Sequence, residues 1–202
     1  MVNGLSVYQI TALAVVIAFY GAYISKNLSL KINGVSANRL VRGNKPKKTF
    51  IIELVLSIAT LGVALAQAVS MLGWIPSFND IGWLIIAGLL ISALGTAVFI
   101  TAMLTMRLNW RAGVDSEQST ELVIQGIYKY SRNPAFLGFD LFYIGLAAAF
   151  PNVLHIAVTL FCIIMFHFQI LEEERFLEER FRDQYRAYMK VTKRYLGMNK
   201  QI

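Results

Sequence analysis

Residues 83–104 read WLIIAGLLISALGTAVFITAML and carry no Asp, Glu, Lys, Arg or His. At a helical rise of about 1.5 Å per residue the run is about 33 Å long, enough to cross a hydrocarbon core of about 30 Å. Comparable apolar stretches cover residues 5–25, 50–72 and 153–170. A fifth, residues 135–150, is about 24 Å long as a helix and fits either a tilted span or a re-entrant helix; a span is the expectation. The composition agrees: the chain is 56% hydrophobic and 15% charged, with a mean hydropathy of +0.55, whereas soluble domains are about one quarter charged. The fold expected is an all-α integral membrane protein with about five transmembrane helices. Residues 1–202 form a single membrane domain, and the last helix extends into the cytoplasm.

The charges supply a topology. All 19 Lys and Arg fall within residues 26–48, 107–132 and 175–200, and the alternate connections, residues 73–82 and 151–152, carry none. Because cytoplasmic loops are enriched in Lys and Arg, the N-terminus is expected outside and the C-terminus in the cytoplasm, in an inner or plasma membrane. The net charge of +7 is then mainly a topology signal and an attraction to anionic head groups. Nucleic acid is not an expected partner, since no soluble basic domain exists to bind it. Glu53, one turn into the second stretch, is expected to reach Lys47 or Lys48. No basic residue precedes the first stretch, which reads as a retained span and not a cleaved signal. Cys162 lies inside the last stretch and reads as packing material. His155 and His167 stand about 18 Å apart along one helix, too far to clamp one haem iron. With no Cys or His cluster for zinc, no metal is expected.

Chemistry-bearing residues gather at the cytoplasmic boundary. Asn133-Pro134 is a helix start, with a preferred N-cap residue followed by Pro at the first helical position. A helix start also presents unpaired N–H groups and a positive dipole end that bind carboxylate or phosphate, and Arg132 adds a charge beside it. Glu172, Glu173 and Glu174 span about 200° of a helix, so they cannot share one site. Glu173 lies one turn beyond Gln169 on a common face; those two are expected to face the interior, with Glu172 and Glu174 in water. Asp140, two turns past Pro134, is costly in a membrane unless paired or protonated. It lines the same cavity or pairs with an arginine. The polar segment 107–132, with Trp110 near its start, suits the wall of a site. Leu177, Phe181, Tyr185, Tyr188 and Met189 make an apolar stripe that fits either a helix lying on the head groups or a lid. Glu178 and Arg182 have the spacing of a helical ion pair.

Thr120-Glu121-Leu122-Val123, Gly126-Ile127-Tyr128, Arg132-Asn133-Pro134-Ala135-Phe136, Glu172-Glu173, Tyr185 and Tyr188 occur in that order. In order and spacing they resemble the isoprenylcysteine carboxyl methyltransferase and phospholipid methyltransferase superfamily over about residues 109–197. The resemblance implies an integral membrane enzyme that uses S-adenosylmethionine at the cytosolic face, with residues 105–202 as its cofactor-binding and catalytic portion. It implies cofactor contacts from Thr120, Glu121, Leu122, Val123, Tyr128, Asn133, Pro134, Ala135, Phe136 and Glu173. Glu173, Arg132 and Asn133 are the expected catalytic residues, and Gln169, Asp140 and Trp110 the substrate-binding ones. The substrate implied is a small lipophilic or lipid-linked acceptor.

The chain departs from the family pattern at three places. Asn133 stands where His is common, and Asn cannot titrate. Gln169 stands where an Arg linked to substrate is usual, so a substrate carboxylate loses that partner. The closing Arg194-Tyr195-Leu196-Gly197 lacks the usual Pro. A non-catalytic membrane lipid-binding or transport protein of the same fold is the alternative reading. A relative of the membrane sterol reductases is another, for which the chain is short.

Overall fold

The computed structural model describes residues 5–35, 40–42, 45–78, 80–110, 113 and 121–199. Five α-helices account for most of them: α1 (Val7–Ile32), α2 (Lys47–Met71), α3 (Gly82–Met106), α4 (Pro134–Ala149) and α5 (Val153–Val191). Four of these, α1, α2, α3 and α5, are long and apolar enough to cross a membrane, and α4 is a shorter apolar helix. The protein is an all-α integral membrane protein. α1 starts at a capping box in which Ser6 and Gln9 exchange side-chain-to-backbone hydrogen bonds, satisfying two N–H groups that a helix start leaves unpaired. α5 starts with the Asn152 side chain accepting from the His155 N–H.

Successive helices alternate in direction. At one end the Gln9 amide donates to the Met71 carbonyl (2.8 Å), Asn152 donates to Ser70 (2.8 Å), and the Phe78 N–H donates to the Pro151 carbonyl (2.7 Å). The other end joins the start of α2 to α5 through a Thr49 hydroxyl that donates to Glu172 (2.8 Å). The cations Lys45, Lys48, Arg132, Arg175 and Arg194 all pair with carboxylates at that second end.

α3 and α4 pack backbone to backbone. Gly88 faces Gly145 and Gly95 faces Gly138; a Cβ at Gly95 would lie 2.4 Å from the Phe142 nitrogen, and one at Gly145 2.4 Å from the Ser92 nitrogen. Small residues let helices approach this closely, which replaces the hydrophobic drive that lipid tails remove. Ser92 adds a hydrogen bond to the Phe142 carbonyl (3.1 Å). Beside this seam, the Phe19 ring of α1 stacks on Phe142 at 3.9 Å and on Phe99 at 4.6 Å. The short α4 is thus held by a full-length neighbour.

Three local expectations are corrected. Glu53 is fully buried and binds the Lys45 ammonium (2.7 Å) and the Val41 N–H (2.7 Å), while Lys48 pairs with Glu172 (2.9 Å). Burial favours the partner whose chain also folds over the carboxylate. Glu172 and Glu174, expected in water, are 5% and 6% exposed, because α2 covers one and the loop before α4 covers the other. Glu178 pairs with Arg186 (2.9 Å): α5 kinks at Arg182, whose φ is 43°, and the kink resets the spacing between partners.

Candidate active site

The loop from Glu121 to Asn133 runs across the second end of the bundle. The Asn109 side chain accepts from the Glu121 N–H (3.2 Å). A 3₁₀ turn, Gly126–Lys129, comes next. Gly126 has φ of 58°, and a Cβ there would meet the Thr105 methyl at 3.1 Å, so only glycine gives the turn both its backbone and its room. The turn delivers Tyr128 into the interior. Burial raises its phenol above the ordinary range, so the ring stays neutral.

Glu174 organises the start of α4 and the end of the chain. Its carboxylate accepts two bonds from the Arg132 guanidinium (both 3.1 Å), one from the Asn133 amide (2.9 Å) and two from Arg194 (3.0 and 2.9 Å). Arg132 also donates to the Thr192 carbonyl (2.8 Å). Two guanidiniums on one carboxylate leave a net positive charge, and donating to the Glu174 carboxylate raises the pKa of Arg194. The residues after α5 complete the clasp, with the Lys193 carbonyl accepting from the Arg132 N–H and the Tyr130 carbonyl from the Gly197 N–H. After the Arg182 kink, α5 returns Tyr185 and Tyr188 to this place, and the Tyr188 hydroxyl donates to the Tyr128 carbonyl.

Asn133 occupies the N-cap position of α4, but its side chain makes no capping bond; the amide is spent on Glu174. Pro134 is the first helical residue, as its type predicts. The Asn133 N–H donates to the Ser131 hydroxyl (3.1 Å) and Pro134 has no N–H, so the first-turn donors left without a side-chain cap are those of Ala135 and Phe136.

These elements enclose a cavity of about 440 Å³, within the range of small-molecule sites. It brings together most of the sequence-predicted residues: Trp110, Glu121, Leu122, Val123, Tyr128, Arg132, Asn133, Ala135, Phe136, Gln169 and Glu173 all line it. The Gln169 amide donates to Glu173 (3.0 Å), as their spacing predicts. The Gln169 Oε1 is buried with no hydrogen-bond partner, and so is an acceptor in want of a donor. Pro134 and Asp140 are not in the lining, and Thr120 lies outside the described residues. Asp140 sits on another face of α4, towards Cys162 and Tyr195. Among the described residues no group of three His, Cys, Asp or Glu side chains has the geometry to hold a metal.

Sequence reasoning missed the contribution of the first two helices. Tyr20 and Tyr23 of α1 and Leu56, Ser57, Thr60, Leu61 and Ala64 of α2 continue the lining into the apolar level. Leu61 is 63% exposed, so here the cavity reaches the lipid-facing side of the bundle. The Ser57 and Thr60 hydroxyls donate to carbonyls of their own helix, which leaves a wall that is small rather than polar. The signal was present: residues 57, 60, 61 and 64 recur at helical spacing as one face, mostly of small side chains.

Protein-S-isoprenylcysteine O-methyltransferase of Tribolium castaneum is 34% identical over 116 residues, 56% of this chain and 41% of the relative. The Xenopus laevis protein of that name is 32% identical over 118 residues, 57% of this chain and 41% of the relative. The human one is 28% identical over 156 residues, 73% and 55% respectively. The chain thus spans about two fifths of the length of the first two. The family model described as phospholipid methyltransferase matches residues 83–184, half of the chain, and takes in α3, the loop, α4 and α5 past the glutamates. The chain belongs to the phospholipid methyltransferase family.

Proposed function

We propose that this protein is a membrane methyltransferase that binds S-adenosylmethionine in the polar half of the cavity and a lipophilic or lipid-linked acceptor in the apolar half. The observation that carries the reading is the continuity of one cavity from Glu173, Gln169 and Arg132 to Leu61 and Ala64 on the lipid-facing side. A water-soluble zwitterion and a lipid fit the two ends of such a space. The insect and frog relatives are O-methyltransferases of protein S-isoprenylcysteine, which supports methyl transfer to a lipid-bearing acceptor.

The residues present fit this cofactor. The Glu173 carboxylate and the unpartnered Gln169 Oε1 accept from its ammonium. The uncapped N–H groups at the start of α4, with the net charge of the Arg132–Glu174–Arg194 cluster behind them, attract its carboxylate. Leu122, Val123, Tyr128 and Phe136 offer apolar and aromatic walls to its base. When bound, the cofactor supplies an activated methyl group on a sulfonium. The protein's part is to position the two reactants and exclude water, which can supply much of the rate. A hydroxyl acceptor wants a base, for which Glu173 is the candidate in place of its ammonium contact, whereas a carboxylate or a neutral amine needs no base. Arg132 and Asn133 act as positioning residues through Glu174, and Trp110 faces the acceptor. The cofactor end draws on residues 105–202, and the acceptor passage on α1 and α2.

The cationic end of the bundle is assigned to the cytoplasm, with the N-terminus outside, in keeping with the positive-inside rule. The cofactor then enters from the cytoplasm and the lipid sideways between α1 and α2.

Calorimetric titration of S-adenosylhomocysteine into the detergent-purified protein tests the reading, with NADPH as the control. Saturable micromolar binding is expected for the first alone. Glu173→Gln should weaken it about ten- to hundredfold, the worth of one charge-assisted hydrogen bond. A folded sample that binds no S-adenosylhomocysteine overturns the proposal.

A further inference from the structure

After α5 the chain turns back to the membrane boundary. Thr192 and Met198 form an antiparallel bridge, and the Lys193 N–H donates to the Gly197 carbonyl (2.9 Å). Gly197 closes the turn at a φ of 113°, a conformation that favours glycine. Tyr195 lies at the tip. Its hydroxyl is hydrogen-bonded to His167 Nδ1, and the two rings stack with centroids 6.1 Å apart. His167 stands three residues before the end of the apolar stretch 153–170, about 5 Å inside it along the helix. Its neighbours Ile164 and Phe168 are exposed, so this side of α5 faces lipid. The tip therefore reaches the level of the hydrocarbon boundary. Leu196 and Met198 beside it are 67% and 61% exposed. Exposed Lys129, Lys190 and Lys193 surround them: the Thr192 hydroxyl donates to the Lys129 carbonyl (3.2 Å) and the Asn199 amide to the Lys190 carbonyl (3.0 Å). Apolar side chains at this level, ringed by lysines, match the hydrocarbon edge and anionic head groups of a cytoplasmic leaflet.

The same turn is built into the polar mouth. The Arg194 side chain binds Glu174 (3.0 and 2.9 Å), and its carbonyl accepts from the Ser131 hydroxyl and the Asn133 amide (both 3.3 Å). Arg132 and Asn133 line the cavity. We propose that the turn is a membrane-seated clip: Tyr195, Leu196 and Met198 insert into an anionic leaflet, and that seating holds Arg194 on Glu174 at the cofactor end of the cavity. The inference rests on the reading of this cavity as a cofactor site. The bilayer then supports the site as well as surrounding the bundle, and the residues of the clip act by positioning, without touching the reactants.

The test uses the full chain in nanodiscs of phosphatidylcholine and phosphatidylglycerol, with a spin label on Leu196→Cys. Glu179→Cys, exposed on α5 beyond the apolar stretch, is the labelled control, and the wild type is the blank for the buried Cys162. The label at position 196 should meet oxygen more than a water-soluble nickel chelate, and the order should reverse at position 179. S-adenosylhomocysteine is titrated into the same discs. A chain carrying Leu196→Ser and Met198→Ser should bind it about tenfold more weakly, the worth of one net hydrogen bond, and Leu196→Ile with Met198→Leu should restore the affinity. Wild-type affinity should also fall in discs of phosphatidylcholine alone, a change that a merely structural turn does not produce. A label at position 196 that meets the nickel chelate more than oxygen overturns the proposal, and so does one shielded from both, which places a second copy of the chain on the turn. Equal affinities for the wild type and the serine pair overturn the hold on Arg194. Cofactor binding with position 196 in water removes the clip and leaves the methyltransferase reading. Position 196 in lipid without binding by the wild type does the reverse, and the hold on Arg194 is then read from the thermal midpoint, which the serine pair should lower.

Discussion

Replacing Glu174 with Gln removes the charge from the centre of the clasp and keeps its shape. The Arg132 and Glu174 side chains are 9% and 7% exposed, so the substitution strands a buried guanidinium. Breaking a buried ion pair from one side costs about 3–5 kcal/mol. Arg194, 35% exposed, regains solvent and adds little. The neighbouring Glu173 faces the cavity, where it accepts from the Gln169 amide (3.0 Å) and, among the described residues, pairs with no guanidinium, so Glu173→Gln should leave stability nearly unchanged. The two adjacent substitutions are thus expected to separate. Glu174→Gln lowers the thermal midpoint in detergent and weakens S-adenosylhomocysteine through a displaced Arg132, whereas Glu173→Gln weakens the ligand alone. Thermal unfolding measured by circular dichroism, run beside calorimetry on both variants, reads the difference. Equal thermal midpoints for the wild type and Glu174→Gln would refute the assignment of Glu174 as the organising carboxylate.

Packing and the kink set further outcomes. Gly138→Leu places a side chain where a Cβ already meets the Phe99 nitrogen at 2.7 Å; α3 and α4 must part, and the expected result is loss of folded protein on size exclusion. Tyr188→Phe deletes the hydrogen bond to the Tyr128 carbonyl and should cost about 1 kcal/mol of stability, read as a lower thermal midpoint with the ligand-induced shift retained. Glu178→Gln removes an exposed pair with Arg186 and should change neither the thermal midpoint nor ligand affinity.

Much of the site was legible because its signals are local. Asn133-Pro134 marks a helix start by chemistry alone, and α4 begins there. Gln169 and Glu173 share a face by helical arithmetic and are hydrogen-bonded. The roles of Glu172 and Glu174 were not legible, since a run of three glutamates beyond an apolar span looks equally at home in water. Their burial depends on Thr49, 123 positions away from Glu172, and on Arg132, 42 positions away from Glu174. The Glu178–Arg182 spacing misled for a related reason: it presumes an unbroken helix, and α5 breaks at Arg182. Asp140 failed as a lining residue because depth along α4 says nothing about which face meets the cavity.

By itself the sequence determined which segments can live in lipid and in what alternation, because hydropathy and length act one helix at a time and the cations mark alternate ends. It also singled out the residues of the loop and of the start of α4 that line the polar mouth, since they are neighbours along the chain as well as in space. Only the tertiary structure decided that Arg132 is clamped by Glu174, that Lys45 and not Lys47 or Lys48 meets Glu53, and that Tyr20 and Leu61 extend the cavity into the apolar level. Those facts depend on which faces of separate helices meet. That choice is made by close backbone packing at Gly88, Gly95, Gly138 and Gly145 and by buried charges seeking partners across the bundle, neither of which has a period that a single segment can reveal.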